Sequence, residues 1–348
     1  MKRPKLVRFS AIAADKKINI DLFAAFCSKA NTSEIPIGSL NLLSKNQFRI
    51  RIVGINGQGQ NIFSREYDTN HFGLLSVNIP HTKNEQVIKS LVLYETSLIE
   101  NYHFHLGTYL PLVIKNPKNI IIADFDKTLV DTRYSSLKEV YYSLNRPLSF
   151  FPEIKKSTEL FRNYINKNYQ PFVISASPHF YHDAINHWLS TNQIFVHQIK
   201  LKDYRNFFSL FEGTLFKKDL KQQGFYKLSQ IIETLNIVGI PKNLVLMGDG
   251  FESDTFIYLT LFTLLKTNTS PWSLWDSIKS DHQFLLTPKQ SAYFLTNFNI
   301  LREKANKVDC NIKIYIRCNE KNYEDVQQRT FLNSYINEVK SNVNYYIG

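Results

Sequence analysis

The stretch Ile120–Thr132, which reads Ile-Ile-Ile-Ala-Asp-Phe-Asp-Lys-Thr-Leu-Val-Asp-Thr, decides the fold of the chain that follows it. Its β-branched run Ile120–Ile122 predicts a buried strand of an α/β sheet. Asp124 and Asp126 come directly after this strand, and Thr128 follows two places further on. Because unpaired carboxylates are costly to bury, we expect both acids at the carboxyl end of the strand, where parallel sheets bind ligands.

The composition is that of a globular protein with a basic surface. The chain has 348 residues, of which 43% are hydrophobic, so it can form two domains with packed cores, or one large domain with attachments. A formal net charge of +12 favours anionic partners such as phosphate esters or an acidic membrane surface. No Lys/Arg block is dense enough to indicate a nucleic-acid module, and we expect no nucleic-acid partner.

Cysteine spacing and apolar segments bear on the location of the protein. Cys27, Cys310 and Cys318 are too widely spaced for a disulfide framework or a zinc site, and they fit a reducing compartment. The apolar segment Phe9–Ala14 is too short for a signal-peptide core. Thr255–Leu265 is about half of the roughly 20 residues that span a bilayer. We therefore expect a cytoplasmic protein that is soluble or at most peripheral at a membrane.

Residues 1–115 differ in pattern from those that follow. Segments such as Phe48–Val53 and Leu74–Pro80 have strand patterns and are separated by turn clusters, which predicts a β-rich, sandwich-like accessory domain. His103 and His105 share one strand face, and we interpret them as ordinary strand histidines rather than as a metal pair. The polar segment that starts at Lys115 is interpreted as a linker.

Residues 116–320 alternate between strand and helix patterns, which predicts a parallel sheet. Two further apolar strands end in polar residues, Pro171–Ile174 before Ser175 and Asn243–Gly248 before Asp249. Aromatic residues over about 267–310 indicate an insertion, and 321–348 is predicted to be a helical tail. Helices are predicted over Ser136–Leu144, Pro152–Asn166, Phe180–Leu189 and Tyr226–Leu235.

Acids at these strand ends suit phosphoryl transfer. Asp124 is placed to attack phosphorus and form an aspartyl-phosphate, which divides one difficult displacement into two easier ones. Asp126 could protonate the leaving alkoxide and then activate the hydrolytic water. Asp249 and Asp254 add hard oxygen ligands of the kind that Mg²⁺ prefers, although Asp254 could instead be a helix N-cap.

A cation and a hydroxyl group complete the predicted site. Lys227 opens a predicted helix and could neutralise the phosphate and the aspartyl group. Either Ser175 or Ser177 could donate a hydrogen bond to a phosphate oxygen, and the sequence leaves that choice open. The competitors of Lys227 for the cationic role are Lys217, Lys218 and Lys221.

The order of these pieces resembles the four motifs of haloacid dehalogenase-like hydrolases. Asp-x-Asp-x-Thr begins at Asp124, a strand ends in Ser175, Lys227 follows, and Gly-Asp-x4-Asp begins at Gly248. The resemblance implies an α/β fold with a Rossmann-like parallel sheet. It also implies a minimal cap, because the stretch between the first motif and Ser175 is short.

Within this superfamily the sequence most closely resembles the actin-patch-associated phosphatidate phosphatase family and its bacterial relatives. Gly250 stands where that family has a serine, and Thr255-Phe256 replaces Pro-Glu. The stretches that carry the resemblance are Gly107–Pro111, Leu144–Pro152, Ser175–Pro178, Lys202–Tyr204, Gly248–Tyr258 and Ile314–Arg317.

The resemblance implies a Mg²⁺-dependent phosphatase that removes phosphate from phosphatidate, with possible substrates at a membrane surface. It implies catalytic roles for Asp124, Asp126 and Lys227. It implies that the metal is held by Asp124, Asp126, Asp249 and Asp254. It implies that the phosphate is bound by Thr128, Ser175, Ala176 and Lys227.

Two other functions stay open at this point. The protein could be a phosphatase of small soluble phosphoesters, because Ser-Ala-Ser-Pro also resembles phosphoserine-phosphatase-like members of the superfamily. It could also be a non-catalytic adaptor in which residues 1–115 bind a partner. The insertion over 267–310 could act as a lid or a lipid contact, and we favour packed structure there.

Overall fold

Two compact units, Met1–Asn116 and Pro117–Gly348, make up the fold in a computed structural model of the chain. The boundary falls inside the polar segment that the sequence predicts to be a linker. The structure describes residues 2–14, 17–28, 46–80, 88–114, 119–132, 151–203, 223–280, 284, 286, 288–320 and 342–348.

Several sequence-based interpretations fall outside the described residues. They concern the predicted helix Ser136–Leu144, residues 144–150 of the family-like stretch, Tyr204, and the competing lysines at 217, 218 and 221.

The first unit contains eight strands in the part of it that the structure describes. One four-stranded sheet has the order β5-β2-β1-β8 and the other the order β4-β3-β6-β7. Buried side chains of both sheets form one hydrophobic cluster, to which Ile18 and Ile20 contribute from one sheet and Ile50 and Ile52 from the other. The strands are β1 (Lys2–Ala14), β2 (Lys17–Ser28), β3 (Arg49–Asn56), β4 (Asn61–Asp68), β5 (Leu74–Pro80), β6 (Ile88–Ile99), β7 (Tyr102–Tyr109) and β8 (Leu112–Ile114).

The antiparallel pair β1–β2 is absent from the sequence-based prediction. Its first strand contains Pro4, and its register shifts between Leu6 and Arg8. Prolines and bulges interrupt the alternation of polar and apolar residues from which a strand is predicted. The strand pattern is therefore hidden in the sequence, although the pairing runs from Lys2 with Ser28 to Ala14 with Lys17.

The second unit contains a six-stranded sheet in which every described strand pair is parallel. This confirms the predicted α/β class and parallel sheet. The strands are β9 (Asn119–Ala123), β10 (Gln170–Pro178), β11 (Gln198–Lys202), β12 (Asn243–Asp249), β13 (Asn311–Cys318) and β14 (Val343–Ile347). The described helices are α1 (Lys155–Asn166), α2 (His182–Thr191), α3 (Gln223–Val238), α4 (Asp254–Lys266), α5 (Pro271–Ile278) and α6 (Pro288–Ala305).

The strand order β11-β10-β9-β12-β13-β14 positions the site. The chain moves outward from β9 through β10 to β11, and then returns to the other side of β9 with β12. The order therefore reverses between β9 and β12. Ligands of open α/β sheets bind outside the carboxyl ends of the strands at such a reversal, which is where Asp124 and Asp249 lie.

The predicted helical tail over 321–348 is wrong for its described end. Residues Val343–Ile347 form β14, which pairs in parallel with β13. This segment reads Val-Asn-Tyr-Tyr-Ile, and β-branched and aromatic residues favour strands. The polar residues that precede it in the sequence led to the helical prediction.

The insertion packs through aromatic side chains. Trp275 and Phe284 are buried. The rings of Trp275 and Phe294 have centroids 4.9 Å apart, and those of Phe256 and Phe284 are 5.4 Å apart. Trp272, by contrast, is 61% exposed. The described part of the insertion is thus mostly packed structure, and no described helix is long and apolar enough to cross a membrane.

Candidate active site

Three carboxylates meet where the strand order reverses. Asp124 follows β9, Asp249 ends β12 and Asp254 begins α4. One oxygen of each carboxylate lies within 4.8 Å of the other two. All three residues are buried, with exposures of 1% or less. The sequence predicts that these acids meet, because it places them at the carboxyl ends of strands of one parallel sheet.

Lys227 lies in the first turns of α3 and is the cation of this cluster. Its Nζ atom is 3.0 Å from Oδ2 of Asp124 and 2.7 Å from Oδ1 of Asp254. Only 2% of the lysine side chain is exposed. Since a buried ammonium needs anionic partners, its place between two buried acids accounts for its ionisation. The structure thus brings together four of the residues singled out in the sequence.

The turn after β12 is built around the carboxylate of Asp249. Its Oδ1 atom accepts hydrogen bonds from the backbone N–H groups of Phe251 and Glu252, at 2.6 and 2.9 Å. The N–H of Asp249 donates to Oδ2 of Asp254 at 3.1 Å. Asp254 is therefore turned toward the site, and Ser253 occupies the N-cap position of α4.

Gly248 allows Asp254 to approach the strand. A Cβ atom at position 248 would lie 2.5 Å from Oδ2 and 2.6 Å from Cβ of Asp254. It would also lie 2.7 Å from the ring of Tyr258, whose hydroxyl donates to the carbonyl of Met247 at 2.8 Å. A side chain at position 248 would therefore displace Asp254 from Lys227.

Asp126 has partners that differ from those of the three clustered acids. Ser175 donates to its Oδ2 atom at 3.0 Å, and the Ser177 hydroxyl also donates to Oδ2. The backbone N–H of Ser177 in turn donates to Ser175 Oγ at 3.1 Å. Asp126 is not part of the carboxylate group within 4.8 Å, so its role as a metal ligand stays a prediction.

The remaining predicted phosphate contacts lie on the same strand ends. Thr128 is fully buried, and its hydroxyl has no hydrogen-bond partner among the described residues. Ala176 lies between the two serines near the end of β10. Both serine hydroxyls donate to Asp126. The choice between Ser175 and Ser177 as the hydrogen-bond donor to the phosphate therefore stays open.

Sequence reasoning missed Glu252, which links two lysines at the site. Its Oε1 atom is 2.9 Å from Nζ of Lys127, and its Oε2 atom is 3.8 Å from Nζ of Lys227. Lys127 has a φ of 56°, in the left-handed region that a lysine adopts rarely. The signal available in the sequence was the acid within Gly-Asp-Gly-Phe-Glu-Ser-Asp, where only the first and last acids were considered.

Burial dominates the titration of the clustered groups. It raises the pKa of Asp124 well above its usual range, which the charge of Lys227 partly offsets. Burial, with the nearby charge of Asp254, raises the pKa of Asp249 to about 8. Burial alone would lower the pKa of Lys227, but the charges of Asp124, Asp254 and Glu252 raise it well above its ordinary value.

This donor set fits a divalent cation. Oδ1 of Asp124 and Oδ2 of Asp249 are buried and have no hydrogen-bond partner among the described residues. Carboxylate oxygens are the ligands that Mg²⁺ prefers, and a second positive group would balance the excess of acids over Lys227. Asp124, Asp249 and Asp254 would hold such an ion.

A comparison with known families agrees with this constellation. Residues 119–270 match the family model described as phosphatidate phosphatase APP1, catalytic domain. The match supports a relation of the second unit to the phosphatidate phosphatase family. It includes Asp124, Lys227 and both acids of the later motif, and it does not extend to the first unit. No curated protein matches the chain.

Solved structures show only low similarity to this chain. The Pnkp1/Rnl/Hen1 complex is 12% identical with a TM-score of 0.28, over 49% of this chain and 50% of that one. A β-glucuronidase of Ruminococcus gnavus is 8% identical with a TM-score of 0.23, over 100% and 54%. The chain spans about half the length of these structures. At such scores they inform neither the fold nor the chemistry.

Proposed function

We propose that the second unit is a Mg²⁺-dependent phosphatase of the haloacid dehalogenase type that hydrolyses phosphatidate through an aspartyl-phosphate. The observation that carries this proposal is the contact of Lys227 with both Asp124 and Asp254, beside Asp249, at the reversal of the strand order. Perturbed, buried titratable groups that converge on one point are typical of active sites.

Asp124 acts as the nucleophile in this proposal. A carboxylate oxygen of Asp124 attacks phosphorus, and the bond between phosphorus and the alkoxy oxygen of the substrate breaks. Asp126, when protonated, gives its proton to the leaving alkoxide. Mg²⁺, when bound by the acids, would screen the repulsion between carboxylates and phosphate.

Hydrolysis of the aspartyl-phosphate reverses the role of Asp126. As a carboxylate it takes a proton from a water molecule whose oxygen attacks phosphorus, and the bond to Asp124 breaks. Inorganic phosphate is released, Asp124 is again a free carboxylate and Asp126 has regained its proton, so both acids are back in their starting states. Ser175 and Ser177, which both donate to Asp126, orient its carboxylate for these transfers.

Two observations support a lipid substrate. The family match is to a phosphatidate phosphatase catalytic domain. The net charge of +12 would also draw the chain to the anionic surface on which phosphatidate is found. We therefore propose a peripheral contact with membranes, with phosphatidate as the phosphomonoester that is hydrolysed to diacylglycerol and phosphate.

Phosphate release in the presence of Mg²⁺ tests this proposal. Wild type, Asp124→Asn and the control Asp309→Asn would be compared on phosphatidate vesicles and on a panel of water-soluble phosphomonoesters. Asp309 is an exposed acid of the same unit, paired with Lys266. Loss of a nucleophile that acts as part of a catalytic unit costs about 10⁴-fold or more, so we expect this loss for Asp124→Asn and none for Asp309→Asn.

The outcomes separate the parts of the proposal. Full activity of Asp124→Asn would refute the nucleophile. Release from soluble esters but not from vesicles would refute phosphatidate as the substrate and leave a phosphatase of small molecules. Absence of Mg²⁺ binding together with absence of phosphate release would support a non-catalytic adaptor instead.

A further inference from the structure

Arg317 lies near the end of β13, beside the strand that carries Asp249. The two residues are partners in the parallel register of β12 and β13. The guanidinium side chain is only 10% exposed, so it points into the protein rather than into solvent. Arg317 is also outside residues 119–270, which match the phosphatase family, so that match gives it no role.

The guanidinium group of Arg317 contacts two separate segments. Its Nη1 atom donates to the carbonyl of Lys127 at 2.8 Å, and its Nε atom donates to the carbonyl of Gly348 at 3.0 Å. Its Nη2 atom lies 3.5 Å from Oδ1 of Asp131. One planar group thus joins both sides of the loop after Asp126 to the end of the described chain.

The contact with Lys127 fixes a strained peptide. Lys127 has a φ of 56°, and its backbone N–H donates to the carbonyl of Val130 at 2.8 Å. Such a left-handed conformation persists in a residue other than glycine when its surroundings hold it. Arg317 supplies the hydrogen bond to the carbonyl of the peptide between Lys127 and Thr128, one residue after Asp126. Its loss would free this peptide to turn and to carry Asp126 with it.

Arg317 also contacts the loop that carries the later acids. Its carbonyl accepts from the backbone N–H of Gly250 at 2.8 Å, and its guanidinium carbon lies 5.5 Å from the ring centroid of Phe251. These two residues follow Asp249 directly. Through its side chain and its backbone carbonyl, Arg317 therefore holds the loop after β9 against the loop after β12.

We propose that Arg317 is a positioning residue that sets the place of Asp126 relative to Asp124 and the later acids. This inference rests on the proposed function, because it acts through the acid–base role of Asp126. Arginine suits the task, since its rigid fork donates in several directions at once, whereas a lysine offers one point of charge. A misplacement of about 1 Å caused by a residue away from the chemistry can cost about 10²-fold in rate.

The dependence of the rate on the leaving group tests this role. An alkyl leaving group, as in phosphatidate, needs a proton from Asp126, whereas the p-nitrophenolate of p-nitrophenyl phosphate is stable without one. Because hydrolysis of the aspartyl-phosphate uses Asp126 for both esters, the comparison is made on kcat/KM, which reports the phosphorylation of Asp124 alone. We expect Arg317→Gln to lower kcat/KM on phosphatidate by about 10²-fold, and on p-nitrophenyl phosphate by less than about tenfold. The dissociation constant of either ester should change little, because Arg317 does not touch the substrate.

Two further variants sharpen the experiment. Arg317→Lys keeps the charge but cannot reach the carbonyls of Lys127 and Gly348 together, so we expect it to show the same leaving-group bias. Arg302→Gln removes an arginine of α6 that donates to the carbonyl of Leu264 at 2.8 Å. It should leave both rates unchanged. Circular dichroism would establish that each variant is folded, and Arg317→Lys decides the matter if Arg317→Gln is not.

This experiment distinguishes failure of the positioning role of Arg317 from failure of the phosphatase proposal. If wild type releases no phosphate from either ester, the phosphatase proposal fails and the role of Arg317 fails with it. If wild type is active and a folded Arg317 variant loses kcat/KM equally on both esters, or loses none, only the positioning role is overturned. A loss of kcat/KM that is clearly larger on the alkyl ester supports it.

Discussion

An ion pair of the first unit and the charge cluster of the second unit differ in burial. In the first unit, Arg49 pairs with Asp68 at 2.9 Å while about half of each side chain stays exposed. In the second unit, Lys227 pairs with Asp124 and Asp254 in a setting that is almost fully buried. Exposed pairs contribute about 0–1 kcal/mol, whereas burying a cluster of charges is costly to folding. The buried cluster is therefore better accounted for by the proposed chemistry than by stability.

Among the substitutions that test this contrast, removal of the buried Lys227 should change the unfolding free energy most. Lys227→Met leaves Asp124 and Asp254 without their cation, and breaking a buried pair in this way costs about 3–5 kcal/mol. We expect that loss in the unfolding free energy of the metal-free protein, measured with urea. Phosphate release should fall by about 10²–10³-fold, the typical cost of losing one electrostatic stabiliser. A stability change below about 1 kcal/mol would contradict the contrast between the units.

Removal of one clustered acid tests whether the cluster holds a cation. Asp249→Asn replaces a buried carboxylate whose Oδ2 atom has no hydrogen-bond partner among the described residues. Titration calorimetry should show Mg²⁺ binding to wild type and binding weaker by at least about tenfold in the variant. Asp309→Asn is the control, and it should bind as wild type does. Equal affinities of wild type and Asp249→Asn would remove Asp249 from the metal site.

The raised pKa of Asp249 predicts how stability depends on pH. Its pKa rises from 3.8 to about 8 on folding, so between these values the folded protein holds a proton that the unfolded chain has released. Stability of the metal-free protein therefore falls as pH rises from about 4 to about 8 through this group. The unfolding free energy of wild type minus that of Asp249→Asn should fall by at most about 1.4 kcal/mol per pH unit. A difference that rises with pH would contradict the assignment.

An exposed pair of the first unit should give the smallest effect. Arg51 lies 2.6 Å from Glu66 and keeps 32% of its side chain exposed. Arg51→Met should change the unfolding free energy by less than about 1 kcal/mol, and it should leave phosphate release unchanged. An effect on activity would reveal a coupling of the first unit to the chemistry.

The difference between the units also explains what the sequence could predict. Asp124 and Asp249 end apolar runs that form neighbouring parallel strands, so the pattern alone placed them at one sheet edge. Lys227 was found through its order in the chain. Each of these residues has a local signal in the sequence. For the two acids it is an apolar strand that ends in an acid, and for Lys227 it is a helix that begins with a lysine.

Other features depend on contacts that no local pattern encodes. Glu252 matters because the turn after Asp249 directs it toward Lys127 and Lys227. Arg317 reaches Lys127 from a strand two places away in the sheet, so its role depends on strand order and register. The described end of the chain, which forms a strand, likewise depends on an available edge of the sheet.

Detection of a covalent phosphoryl group on Asp124 tests the central claim most directly. Wild type would be mixed with Mg²⁺ and phosphatidate that carries a radiolabelled phosphate, quenched in acid, and digested for mass spectrometry. The account predicts a label on the peptide that contains Asp124, released by hydroxylamine as an acyl phosphate should be, and absent from Asp124→Asn. Turnover of phosphatidate without any label on wild type, or with a label on another residue, would contradict it.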